Sequence, residues 1–200
     1  MLRVYGDRRS GNCYKIGWVL NELAMPSEWV DIDILAGESR TAEFLRRNPN
    51  GRIPVIELDG GRTLAESNAI LLYLADGTPL VPTDRYQRAC VHQWLFFEQY
   101  SHEPYIATSR FIVKYLGSPA DRQTDLESKR EPGYAALGVM ESALNTREFL
   151  TGDHFTVADI ALYAYTHVAD EGGFSLTEFP AILAWFERIK ARPGYVAMDS

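Results

Sequence analysis

Cysteine is almost missing from this chain of 200 residues: there are two, Cys13 and Cys90. They are too few and too far apart for a disulfide framework, and the cytoplasm is the expected compartment, with both thiols reduced. Histidine is scarce as well. His92, His102, His154 and His167 show no metal-ligand spacing and no Cys/His cluster exists, so no protein-bound metal is expected. Basic charge is in the minority, and the net charge is −7. Without a basic stripe to neutralise phosphate, nucleic acid is not an expected partner, although an anionic ligand needs only a local pocket. No apolar run approaches the length that spans a bilayer, so no membrane association is expected. The opening Met1-Leu2-Arg3-Val4-Tyr5-Gly6 turns at Gly6 before an apolar targeting core could form.

What is present is enough apolar material for real cores, 46% of residues, in a length that suits two modest domains. Residues 1–76 alternate element types. Leu2–Tyr5 reads as a strand, and Ile16, Val19, Leu20 and Leu23 recur at helical spacing from Gly11 onward. Trp29–Leu35 alternates Val30, Ile32 and Ile34 with Asp31 and Asp33, a period-two strand signature. A short helix around Phe44 and Leu45 runs to Asn48-Pro49. Ile53–Leu58 and Arg62–Leu64 then form a hairpin about Asp59-Gly60-Gly61, and a helix follows over Glu66–Ala75. The order βαβ then ββα predicts a four-stranded mixed sheet covered by helices, an α/β domain. Residues 77–83, with Gly77, Pro79 and Pro82, read as a linker. Residues 84–200 read as an all-α domain. It holds a long stripe over Tyr86–Leu116 broken near Ser101–Pro104, a helix over Arg122–Leu144 weakened by Pro132-Gly133, and helices beginning near Thr156 and Pro180. The aromatics Trp94, Phe96, Phe97, Tyr100, Tyr105 and Phe111 are expected to be mostly core.

Four motifs carry chemistry. In Asn48-Pro-Asn-Gly-Arg-Ile-Pro54, a proline opens a strand; were its bond cis, the Ile53 N–H and C=O would point outward to pair with a peptide-like ligand. An ordinary trans edge proline is the plainer alternative. Glu66-Ser67 opens a helix whose N-terminal N–H groups suit a carboxylate, while Glu66 suits an ammonium; one amino-acid zwitterion satisfies both, and simple capping is the plain alternative. Ser10-Gly-Asn12-Cys13 opens the first helix where a thioredoxin-type arrangement carries a Cys-x-x-Cys pair, with serine in the first position. A donor there stabilises a nearby thiolate. Lowering a thiol pKa by one to two units takes roughly 1.4–2.8 kcal/mol. One hydrogen bond to a charged group supplies about 1.5–3 kcal/mol and the helix end roughly 0.3–1. The last motif, Phe155-Thr156-Val-Ala-Asp159-Ile160, is a capping box, and Asp159 reads as structural.

In that order and at those distances, these motifs resemble the cytosolic glutathione transferase family along nearly the whole chain. The resemblance implies a thioredoxin-like first domain, a helical-bundle second domain and a homodimer. It implies glutathione as co-substrate lying along Ile53-Pro54, its γ-glutamyl end at Glu66 and Ser67, and Arg52 near its glycine carboxylate, with Asn50 and Ser39 as neighbours. A small electrophile would sit between the domains. For thiol activation Ser10 matches the serine-type classes. Ser-Gly-Asn12 is similar to bacterial members in which an asparagine amide donates to sulfur, and Tyr5 stands near the place of the tyrosine-type hydroxyl. The chain departs from the cysteine-type classes, and Cys13 is expected to face inward. The leading expectation is conjugation of glutathione to electrophiles. The alternatives are glutathione-dependent disulfide or peroxide reduction and a non-enzymatic scaffold or ligand carrier.

Overall fold

The computed structural model describes residues 1–198. Residues 199–200, which end the expected helical segment 84–200, lie outside the described residues. Two compact units divide the chain: Met1–Thr78 joined by the tail from Pro193, and Pro79–Arg192.

The first unit is built on four strands, β1 (Leu2–Gly6), β2 (Ser27–Asp31), β3 (Val55–Glu57) and β4 (Thr63–Ala65), in the order β2-β1-β3-β4. β1 runs parallel to β2 and antiparallel to β3, and β3 is antiparallel to β4. Helices α1 (Gly11–Glu22), α2 (Ala42–Arg47) and α3 (Ser67–Ala75) complete this thioredoxin-like unit, with α1 packed against α3. Strand alternation sends Val4 and Ile56 to one face and Tyr5 and Val55 to the other, where Phe44 of α2 covers them. β2 is displaced from the expected 29–35. It starts at Ser27 and stops at Asp31, because Asp33 Oδ1 accepts the N–H groups of Leu35 (2.8 Å) and Ala36 (3.0 Å) and turns the chain. The tail returns to α1: Tyr14 donates to the Val196 carbonyl at 2.6 Å, and Tyr195 sits edge-on to Trp18.

The second unit is helical among its described residues: α4 (Arg85–Phe97), α5 (Ile106–Arg110), α6 (Gln123–Ser128), α7 (Arg130–Leu144), α8 (Val157–Thr166) and α9 (Pro180–Lys190). The break expected near Ser101–Pro104 separates α4 from α5 and is entered through a π-helical turn over Glu98–His102. The second break is at Lys129 and not at Pro132. Pro132 occupies the first turn of α7, where its N–H would have had no helical partner. Gly133 is required there, because a Cβ would lie 2.4 Å from the Phe174 ring. Every residue of α8 is buried, which makes it the centre of this unit. The expectation that the α4–α5 aromatics are mostly core is corrected. Trp94 is buried, but Phe96 (73% exposed) and Tyr100 (84%) lie on the opposite side of the helical turn and face outward.

Among the described residues, no helix is long and apolar enough to cross a membrane.

Candidate functional site

The site is assembled where β1 hands over to α1, where β3 begins, and where α3 begins. Ser10 occupies the N-cap position of α1 with extended backbone, yet its side chain accepts no capping bond. The hydroxyl instead forms a hydrogen bond with the Cys13 thiol. Cys13 is fully buried, and burial, opposed by that bond, pushes its thiol up to about 12. Its sulfur also packs so closely on β1 that a Cβ at Gly6 would come within 2.7 Å of it. As expected, Cys13 faces inward.

One turn of α1 holds the decisive cluster. The Lys15 side chain has no exposed surface, and its Nζ donates to Asn12 Oδ1 at 2.7 Å and Ser67 Oγ at 3.3 Å, with Asn68 Oδ1 at 3.5 Å. Ser67 Oγ in turn donates to Asn12 Oδ1 at 2.9 Å. An ammonium only donates, so the oxygen of the Asn12 amide is the atom turned toward Lys15, and its nitrogen occupies the other branch. Ser67 is therefore not the cap of α3, as its type suggested. It is the first helical residue, buried, with its hydroxyl tied to α1. The N-cap is Glu66, at φ 67° and ψ 110°, a conformation that L residues avoid at a cost of about 1–3 kcal/mol. Its carbonyl still accepts the Ile70 N–H at 2.9 Å, and its side chain is exposed.

The third side is the turn before β3. Asn48 fixes it from below: Nδ2 donates to the Arg52 carbonyl at 2.8 Å and Oδ1 accepts the Asn50 N–H at 3.0 Å. The Ile53–Pro54 bond is cis, and Ile53 stands outside the ladder, which starts at Val55. Arg52 is exposed, and Ser39 is buried in the single 3-10 turn Glu38–Arg40. Arg40, which the sequence did not single out, donates to the Asn50 carbonyl at 2.9 Å and covers Gly51.

Tyr5 is not among the donors brought together. Its hydroxyl donates to Glu57 Oε2 at 2.9 Å and its ring lies under the Arg47 guanidinium, on the α2 face of the sheet. The Tyr5 bond and then Arg47 hold the Glu57 carboxyl below the usual range. Among the described residues no group of three or more His, Cys, Asp or Glu could hold a metal ion.

Residues 9–76 match the family profile "Glutathione S-transferase, N-terminal domain", and residues 94–193 match "Glutathione S-transferase, C-terminal domain". The chain belongs to the glutathione S-transferase family. The glutathione S-transferase structure from Pseudomonas fluorescens Pf-5 superposes with a TM-score of 0.98 at 54% identity, over 100% of this chain and 99% of that one. Another family member from that source, crystallised with two glutathione bound, gives 0.83 at 28% identity, covering 96% and 89% of the two chains. Glutathione S-transferase 3 of Zea mays is 32% identical over 97% of this chain and 91% of its own length. Protein URE2 of Eremothecium gossypii is 29% identical over 96% of this chain, which spans 66% of that relative.

Two residues of the site escaped the sequence reading. Lys15 follows Asn12 by three positions on α1, and that spacing is the one signal that could have placed it beside the motif. Its complete burial had no sequence signal. Arg40 is distant from the 48–52 turn along the chain, and only folding brings it there.

Proposed function

We propose that the protein is an enzyme that conjugates the thiolate of glutathione to small electrophiles. The observation that carries this reading is the 2.9 Å bond from Ser67 to Asn12, which joins the thiol-activating tip of α1 to the carboxylate-binding tip of α3. The γ-glutamyl carboxylate meets the Ser67 N–H at the start of α3, where the helix dipole favours an anion, and the γ-glutamyl ammonium meets Glu66. The unusual Glu66 backbone supports a ligand-facing role. The cysteinyl backbone pairs with Ile53 beside Pro54, and Arg52 approaches the glycine carboxylate. Ser10 and Asn12 are the donors to sulfur, and Asn12 has the more firmly held geometry.

No protein acid or base is needed for this chemistry. Lowering the thiol pKa and holding thiolate near the electrophile suffice. Residues 1–76, with the tail from Pro193 that returns to α1, serve as the glutathione-binding domain, 77–83 as the linker and the helices from α4 to α9 as the helical domain. The cytoplasm, where glutathione meets electrophiles to be detoxified, is the compartment this reading assigns. The exposed side of α4 and the turn after it, with Tyr86, Phe96 and Tyr100 outward at helical spacing, suits pairing with a second copy in a homodimer.

The test compares turnover of a chlorinated nitrobenzene with reduction of hydroxyethyl disulfide, both with glutathione. Conjugation is expected to dominate, and Asn12→Ala or Ser10→Ala to lower it about tenfold or more. Disulfide reduction without conjugation would replace this reading with the reductase one. A protein that gives no glutathione-dependent thermal shift would be a scaffold.

A further inference from the structure

We propose that Lys15 is a positioning residue for the glutathione thiol, acting through Asn12, so that one buried ammonium couples thiol activation to γ-glutamyl recognition. This rests on the reading of the site given above.

Lys15 is on α1, in a stretch whose neighbours Tyr14, Ile16 and Trp18 are all buried. An apolar residue of similar volume is often as stable as a buried charge or more so, because the ammonium must be stripped of water. Packing alone gives no reason for lysine at this position. Its contacts do: they include three neutral oxygens, one from the tip of α1 and two from the tip of α3. With Lys15 and Ser67 both donating to Asn12 Oδ1, the amide cannot rotate without losing two bonds, and its nitrogen is committed as donor on the opposite branch. Two donors on one carbonyl also polarise the amide and make its N–H groups stronger donors.

The Lys15 charge favours the anionic form of the neighbouring Cys13 sulfur, but the Asp7 charge from the turn after β1 opposes it there more strongly, so the lysine acts on a ligand sulfur through the amide it holds and not through its charge alone. Because Lys15 also holds Ser67, a ligand carboxylate seated at the start of α3 and a sulfur seated at the start of α1 are fixed to a common point.

The experiment is a pH titration of the ultraviolet thiolate band in the glutathione complex of the full-length protein. The proteins compared are wild type, Lys15→Met, Lys15→Arg, Asn12→Ala and the Lys15→Met/Asn12→Ala double variant. Lys15→Met is expected to raise the pKa of the bound thiol by about one unit, roughly a tenfold loss of thiolate near neutrality, read at saturating glutathione so that weaker γ-glutamyl binding does not enter the shift. Lys15→Arg is expected to recover most of that shift, and the double variant to match Asn12→Ala alone, as residues acting in series do. An unchanged pKa in Lys15→Met, or shifts that add in the double variant, overturns the proposal. If Lys15→Met does not fold, Lys15→Gln is read by the same criteria. A wild-type complex without a thiolate band would overturn the reading of the site itself. That outcome differs from one in which wild type shows the band and the lysine variants leave it untouched.

Discussion

Ser10 and Cys13 lie three positions apart on one helical turn, yet they belong to different chemistries because one meets solvent and the other does not. Burial pushes the Cys13 thiol up to about 12, so near neutrality it holds almost no thiolate, whereas Cys90 is only half-buried. Iodoacetamide applied to the native protein at pH 8 should therefore modify Cys90 and leave Cys13 intact, as peptide mass mapping would report. His167 predicts a pH effect. Burial, with the Arg110 charge nearby, lowers its pKa from 6.5 to about 4 while its ring stacks on Tyr163 and its Nδ1 lies 2.6 Å from the Tyr163 carbonyl. A depressed folded-state pKa means the stabilisation is complete above pH 6.5 and is lost as pH falls through 4, up to roughly 3 kcal/mol. Urea midpoints at pH 7 and pH 4.5 should fall less for His167→Gln than for wild type.

Among the elements, α8 depends most on a single side chain. The Thr156–Asp159 capping box closes its N-terminus, and Asp159 also accepts the Leu150 N–H at 3.0 Å and the Trp185 indole N–H at 3.1 Å. Asp159→Ala would strand buried donors from three places in the second unit. It should cost about 3 kcal/mol or more, seen as a lower urea midpoint at unchanged slope. Thr156→Ala, which removes one cap, should cost nearer 1 kcal/mol. The element-level reading was sound where a turn residue and a periodicity agreed, as at Pro180 opening α9. There the Glu141 carboxylate accepts the Ala181 and Ile182 N–H groups. It failed where a side chain competed with the backbone: Asp33 ended β2 early despite perfect alternation beyond it.

For the whole molecule, ligand binding and association give the measurable consequences. Glutathione at a hundredfold its dissociation constant should stabilise the folded state by about 2.7 kcal/mol, a midpoint rise of about 5–11 °C in a thermal melt. The homodimer proposed above, paired through the outward aromatics of α4 and its following turn, predicts a wild-type sedimentation coefficient of two copies and of one copy for Phe96→Glu with Tyr100→Glu. An unchanged coefficient would move the interface elsewhere.

The order of strands and helices, the Asn48–Pro54 turn, the capping box and the inward Cys13 were legible in the sequence because each rests on local chemistry: side-chain period, φ restriction, or a cap three residues from its partner. The site was legible only in part. Asn12, Pro54 and Ser67 could be named from motifs, but the role of each depends on contacts between residues far apart in the chain. Tertiary packing alone decided that Ser67 reaches across to Asn12, that Tyr5 is spent on Glu57, and that Lys15 sits without water beneath both helix tips. Burial and cross-element hydrogen bonds exist only once the sheet has brought its flanking helices together, so no local pattern encodes them.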